Sequence, residues 1–124
     1  MQVASVQLSK RPNAVHLVSL TGEFDVAQVQ DVATALDEAI ADPDSRTVAV
    51  DLSEVTFLDS TMLQTLVSGR DRAQLARKPT WLVRPEPLAW RVFTVTMLHK
   101  LFRDFGSLEE LEQYAAATVS TLRG

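Results

Sequence analysis

The chain has 124 residues, 46% of them hydrophobic and 23% charged, a formal net charge of −4 and no cysteine. That length buries one core without staples, and the composition is that of a globular domain rather than a disordered segment. The missing cysteine excludes disulfides, thiol nucleophiles and thiolate metal sites, and the acidic balance argues against nucleic acid or an anionic membrane surface as the main partner. The opening "MQVASVQLSKRP" lacks the apolar centre of a secretory signal, and no uncharged apolar run approaches the ~18 residues of a membrane span. A single domain over residues 1–124, cytoplasmic and not inserted in a membrane, is the expectation.

Along the chain, Val3 to Leu8 alternates and is predicted to pair with a strand over Val15 to Leu20 through a turn at Pro12-Asn13, with Gly22 as the breaker after it. Val26, Val29, Ala33, Leu36 and Ile40 recur at three- and four-residue steps, which predicts an amphipathic helix buried along that stripe. Thr47 to Leu52 is β-branched and apolar, as a central strand should be. A second helix comes next, with Met62, Leu66, Gly69, Ala73 and Ala76 on one face; a close approach of helix to sheet would offset the helix cost of Gly69, ~1 kcal/mol. Thr80 to Pro85 reads as a strand, and Leu88 to Leu98 as a helix begun by Pro87. Ser107 and Glu110 form a capping box before a last helix carrying Leu108, Leu111, Ala115 and Leu122. Strands alternating with helices make an α/β domain with a mixed, mostly parallel sheet of four to five strands and about four helices.

Few residues have the spacing that chemistry needs. His16 and His99 lie far apart, and neither has a ligand partner four residues on, so no metal or cofactor site is expected. Glycine-rich phosphate loops and the G-x-S-x-G elbow are absent. Glu23 and Asp25 would share a face of an extended segment, as a paired-carboxylate hydrolase requires, but Asp25 also suits the cap of the helix from Val26 onward. Ser60 as a nucleophile would need an adjacent base, and only the two histidines could serve.

The stretch "VTFLDSTMLQTL", Val55 to Leu66, places Asp59, Ser60 and Thr61 between an apolar run and a helix. Any of the three could cap that helix, and Thr61 with Gln64 reads as a T-x-x-Q box. A serine there would also stand at the C-terminal edge of a parallel strand, where α/β domains carry their sites, with amide donors and a helix dipole suited to phosphate. Phosphorylation would add about −1.5 to −2 charges beside Asp59.

In this context "VDLSEVTFLDSTMLQTLVSGRDRA" resembles the signature of the STAS domain, the family of bacterial anti-sigma factor antagonists. "VHLVSLTGEFDVAQVQDVATAL" is similar to that family's strand, L-x-G-E-x-D turn and first helix. "LHKLFRDFGSLEELEQY" resembles its last strand and terminal helix, so the likeness spans nearly the whole chain.

The resemblance implies a non-enzymatic regulator. Unphosphorylated, it would bind an anti-sigma factor with serine/threonine kinase activity and so free a sigma factor; phosphorylation of Ser60, with Thr61 as the alternative acceptor, would switch it off. Glu23, Asp25, Asp59, Ser60, Thr61 and Met62 would then form the partner-binding surface, with homodimerisation also open. The family commonly has a small residue at the position of Met62, which is expected here on the outer rim. The alternatives are an unswitched STAS subunit of a signalling assembly or ABC-type lipid transporter, in which Ser60 only caps the helix, and the hydrolase reading of Glu23 and Asp25.

Overall fold

In the computed structural model, residues 3–123 are described, with side chains through Val119. The predicted Leu122 position on the last helix therefore lies outside the described side chains. Eleven segments succeed one another: β1 (Ser5–Arg11), β2 (Val15–Phe24), a 3₁₀ turn (Val26–Gln28), α1 (Val29–Ala41), β3 (Thr47–Leu58), α2 (Ser60–Leu75), β4 (Thr80–Val83), α3 (Pro87–Val95), a second 3₁₀ turn (Leu98–Leu101), β5 (Arg103–Phe105) and α4 (Leu108–Arg123). The strands form one five-stranded sheet in the order β1-β2-β3-β4-β5. β1 runs antiparallel to β2, and every other neighbouring pair is parallel. This is the α/β domain with a mixed, mostly parallel sheet and four α-helices expected from the alternation of periods.

The sheet separates two apolar layers, and strand alternation sorts residues between them. Val18, Leu20, Val48, Val50, Leu52 and Leu82 face the main core with Val32 and Leu36 of α1, Met62 and Leu66 of α2, and Phe93 of α3. Val15, Leu17, Ala49, Trp81 and Val83 face the opposite way, against Leu111 and Ala115 of α4. Both faces of β2, β3 and β4 are thus covered in their N-terminal halves, which is why these stretches read as continuous apolar runs.

Several boundaries differ from the sequence reading. β1 runs to Arg11 before turning over Pro12–Ala14, where Asn13 and Ala14 take φ values of 67° and 61°. Gly22 does not end β2; it lies inside it at φ +106°, beside a register shift. A Cβ there would stand 3.1 Å from the Val3 carbonyl oxygen and 3.2 Å from Ala4 Cα, so glycine admits both the backbone angle and the crossing chain. β3 extends to Leu58, six residues beyond the predicted strand, because its pairing with β2 resumes after the irregularity and reaches Phe24↔Leu58.

The predicted α1 stripe is rotated. Val32, Ala35, Leu36 and Ala39 are buried, whereas Val26 is 70% exposed. Asp25 caps a 3₁₀ turn ahead of the α-helix, so Val26 is out of phase with α1. On α2, Leu66, Gly69 and Ala73 are buried as predicted, while Ala76 is the exposed C-cap. The close approach at Gly69 is to Leu36 of α1 rather than to the sheet. α3 begins with Pro87 at its first turn and ends at Val95, and Met97 beyond it takes the left-handed conformation at φ 64°. Before α4, Ser107 Oγ accepts from the Glu110 amide, and Glu110 reaches back to the Gly106 amide, one residue earlier than the standard box.

Candidate functional site

The site grows from one backbone relationship. β2 and β3 run parallel and end level, Phe24 opposite Leu58, so the residues that leave each strand, Asp25 and Asp59, emerge side by side. The Asp59 amide donates to the Phe24 carbonyl at 3.2 Å, which closes the pair. Each aspartate then caps the next helical segment. Asp25 Oδ1 accepts from the Ala27 amide at 2.9 Å, and Gln28 Oε1 accepts from the Asp25 amide at 2.8 Å, a reciprocal capping box. Asp59 Oδ1 accepts from the Met62 amide at 2.9 Å.

Among the three candidate caps of α2, then, Asp59 holds the position. Its extended backbone (φ −98°, ψ 179°) suits an N-cap, and Ser60 becomes the first helical residue. Ser60 and Thr61 are exposed and Asp59 is half-exposed. The Thr61 carbonyl takes the Thr65 hydroxyl at 2.9 Å, one turn into the helix. The Ser60 hydroxyl therefore stands at the positive end of a 16-residue helix without being the cap that holds the helix start. A substituent on it would project beyond the rim at the C-terminal edge of the parallel strands.

Met62 is the correction. Expected on the outer rim among the partner-binding residues, it is 1% exposed and belongs to the main core with Phe24, Val32 and Leu58. Only Asp59 separates β3 from α2, so the first turn cannot stand off the sheet, and its third residue points inward beneath the strand ends. Where the resemblance implies a small residue, this chain carries a larger side chain that extends the core.

Glu23 and Asp25 are both exposed beside this edge, and the Asp25 carboxylate is engaged as a cap. Two apolar side chains frame the acidic rim that the sequence reading did not single out: Val26, 70% exposed, and Phe57, 49% exposed and in register with Glu23. Phe57 gave no legible signal: two residues from buried Val55, it would share that face in a regular strand, and only the register shift between Gly22↔Val55 and Glu23↔Phe57 turns it outward. Val26 had none, because its periodicity matched the helix it precedes. Among the described residues no three His, Asp or Glu side chains gather where they could hold a metal ion, and no helix is long and apolar enough to cross a membrane.

Comparison with known proteins gives the family of the chain. Residues 6–119 match the family model described as "Mlab, STAS domain". No curated protein sequence matches the chain. Among solved structures, an anti-sigma factor antagonist from Mycobacterium paratuberculosis is 23% identical, with a TM-score of 0.81 over 92% of this chain and 95% of that one. The Bacillus cell fate determinant SpoIIAA in its phosphorylated form is 20% identical, with a TM-score of 0.69 over 89% and 99% of the two chains. A sulfate transporter family protein from Wolinella succinogenes is 14% identical, with a TM-score of 0.77 over 88% and 90%. At these identities the solved structures share a fold with the chain, while the family match spans most of its length: the protein belongs to the STAS domain family.

Proposed function

We propose that the protein is a non-catalytic anti-sigma factor antagonist of the cytoplasm, switched by phosphorylation of Ser60. Unphosphorylated, it binds an anti-sigma factor that is also a serine/threonine kinase, and so releases a sigma factor. The observation that carries this reading is the division of labour between neighbours: Asp59 caps α2, leaving the exposed Ser60 hydroxyl available at the helix start. Phosphate there meets a favourable helix terminus, worth ~0.3–1 kcal/mol, so the free domain accommodates it. In a complex the same dianion is desolvated beside the acidic rim of Glu23, Asp25 and Asp59, a cost of several kcal/mol and orders of magnitude in affinity. The solved relative in its phosphorylated form supports a fold that tolerates the modification.

The test is incubation with the native kinase partner and ATP, and then mapping of the added mass. Ser60→Ala should remain unmodified and still bind, whereas Ser60→Asp should fold and bind poorly. Phosphate on Thr61 in the Ser60→Ala variant would move the switch by one residue; no modification of either hydroxyl would sink the proposal. A second reading, an unswitched subunit of a transport or signalling assembly, draws on the likeness to a transporter-family structure. Co-purification with a membrane-transport ATPase rather than an anti-sigma factor would favour it.

A further inference from the structure

Among the described residues, β1 is an edge strand whose open rim lacks the usual guards. Such rims present unpaired amide and carbonyl groups, and proteins block them with lysine, proline, a bulge or a covering element. Here β1 pairs with β2 one-to-one from Ser5↔Thr21 to Arg11↔Val15, without a bulge. Ser5 to Ser9 contains neither a charge nor a proline. The cations at the end of the strand are drawn to other elements: Arg11 Nη2 lies 2.6 Å from Glu112 Oε1 of α4, and Lys10 Nζ lies 3.8 Å from both Asp42 and Asp44.

Beside this rim an open groove of about 350 Å³ runs between β1 and α1. Ala4, Val6 and Leu8, the inward alternate residues, line its floor and are only half-buried. Asp31 and Glu38 of α1 line its wall; both are exposed, and neither pairs with a cation among the described residues. An added strand would complete the burial of the floor while its main chain bonds the open rim, the mode in which backbone bonding supplies affinity and alternate side chains supply specificity.

We infer that β1 is a strand-addition site for an extended segment of a partner protein with the pattern cation-x-apolar-x-cation. The spacing comes from the two carboxylates. Seven residues of helix separate Asp31 from Glu38, about 10.5 Å along the axis. Positions i and i+4 of a strand project to the same side about 13 Å apart, within reach of two flexible lysines, with position i+2 over the apolar floor. A second copy of this chain fits the rim less well. It would bring another Asp31 and Glu38 to the same groove, and each copy carries a formal charge of −4, so repulsion selects a cationic partner instead. This surface does not depend on the reading of Ser60.

The test titrates a capped peptide, Thr-Lys-Thr-Val-Thr-Lys-Thr, to millimolar concentration against the isotope-labelled protein, tracking amide shifts and hydrogen exchange. The amides of Ser5 to Ser9 should shift, and the alternate ones that point away from β2 should gain protection. The isomer Lys-Thr-Thr-Val-Thr-Thr-Lys, which puts valine and the lysines on opposite faces, should leave them unmoved. Reversing both carboxylates (Asp31→Lys with Glu38→Lys), at exposed positions that leave the fold intact, should weaken binding by about tenfold. The inference fails if β1 amides do not respond, if both isomers or the doubly reversed protein bind equally, or if the free protein forms a concentration-dependent dimer with those amides already protected.

Discussion

Gly69 of α2 lies so close to Leu36 of α1 that a Cβ on Gly69 would stand 2.6 Å from Leu36 Cδ1. The absent side chain is what lets the two helices pack on the sheet side by side, with Leu36 1% exposed between them. Gly69→Ala should gain helix propensity of ~1 kcal/mol but force Leu36 off its position, at ~1–3 kcal/mol. The net expectation is a loss of ~1 kcal/mol, and Gly69→Val should lose ~2 kcal/mol or more. Chemical denaturation of Gly69→Ala, Leu36→Ala and the double variant checks the cause. The double variant should be more stable than the sum of its parts, and strict additivity would place the strain elsewhere.

Met62 tests the inward placement of the first turn of α2. Met62→Gly removes a fully buried side chain and adds the helix penalty of glycine, so a loss of ~3 kcal/mol or more is expected. Met62→Leu should cost less than ~1.5 kcal/mol. Partner binding, measured on the fraction that remains folded, should be unchanged in both. A binding defect in a stable Met62→Leu protein would return this residue to the interface.

The two rim aspartates combine a cap with a surface charge, and substitution can separate these roles. Asp59→Ala should lose ~1 kcal/mol of stability, while Ser60→Ala should change it little, because the capping bond to the Met62 amide comes from Asp59. Asp25→Asn keeps a capping oxygen for the Ala27 amide and removes the charge. It should melt close to the parent protein yet associate more slowly with a cationic partner, with a weaker dependence on salt. Equal melting of the parent and Asp59→Ala would show that α2 does not rely on its cap.

Asp42 links stability to acid. Its carboxylate accepts the Asp44 amide at 3.0 Å and His16 Nδ1 lies 3.0 Å from its other oxygen. The Asp44 hydrogen bond chiefly, with Lys10 and His16 adding to it against partial desolvation, holds the Asp42 carboxyl below its ordinary value of 3.8. A carboxyl depressed in the folded state binds protons more readily when unfolded. Its contribution is therefore present above the unfolded value and is lost as pH falls through and below about 4. Asp42→Asn should flatten the acid limb of a stability–pH profile between about pH 5 and 2. An unchanged limb would assign the acid sensitivity to other carboxylates.

Local patterns along the chain suffice for the layered architecture and for the junction between β3 and α2. Short continuous apolar runs at Val15 and Thr47 and period-3.6 runs after Val29 and Ser60 dictate strand and helix, because local sterics and burial act over neighbouring residues. The D-S-T junction was legible for the same reason, since capping chemistry is local. Orientation, by contrast, was settled by long-range packing. Three polar residues in a row each satisfy a capping pattern, and only the backbone path from β3 into α2 assigns the cap to Asp59 and directs Met62 inward. Val26 carries the periodicity of α1 yet lies exposed, because a 3₁₀ turn shifts the phase by an amount that composition does not encode. Gly69 announces a close approach without naming its neighbour, which is Leu36 on the preceding helix. The pairing of Asp25 with Asp59 across two strand ends depends on the register of β2 with β3, a long-range relationship set by how the whole sheet closes its core.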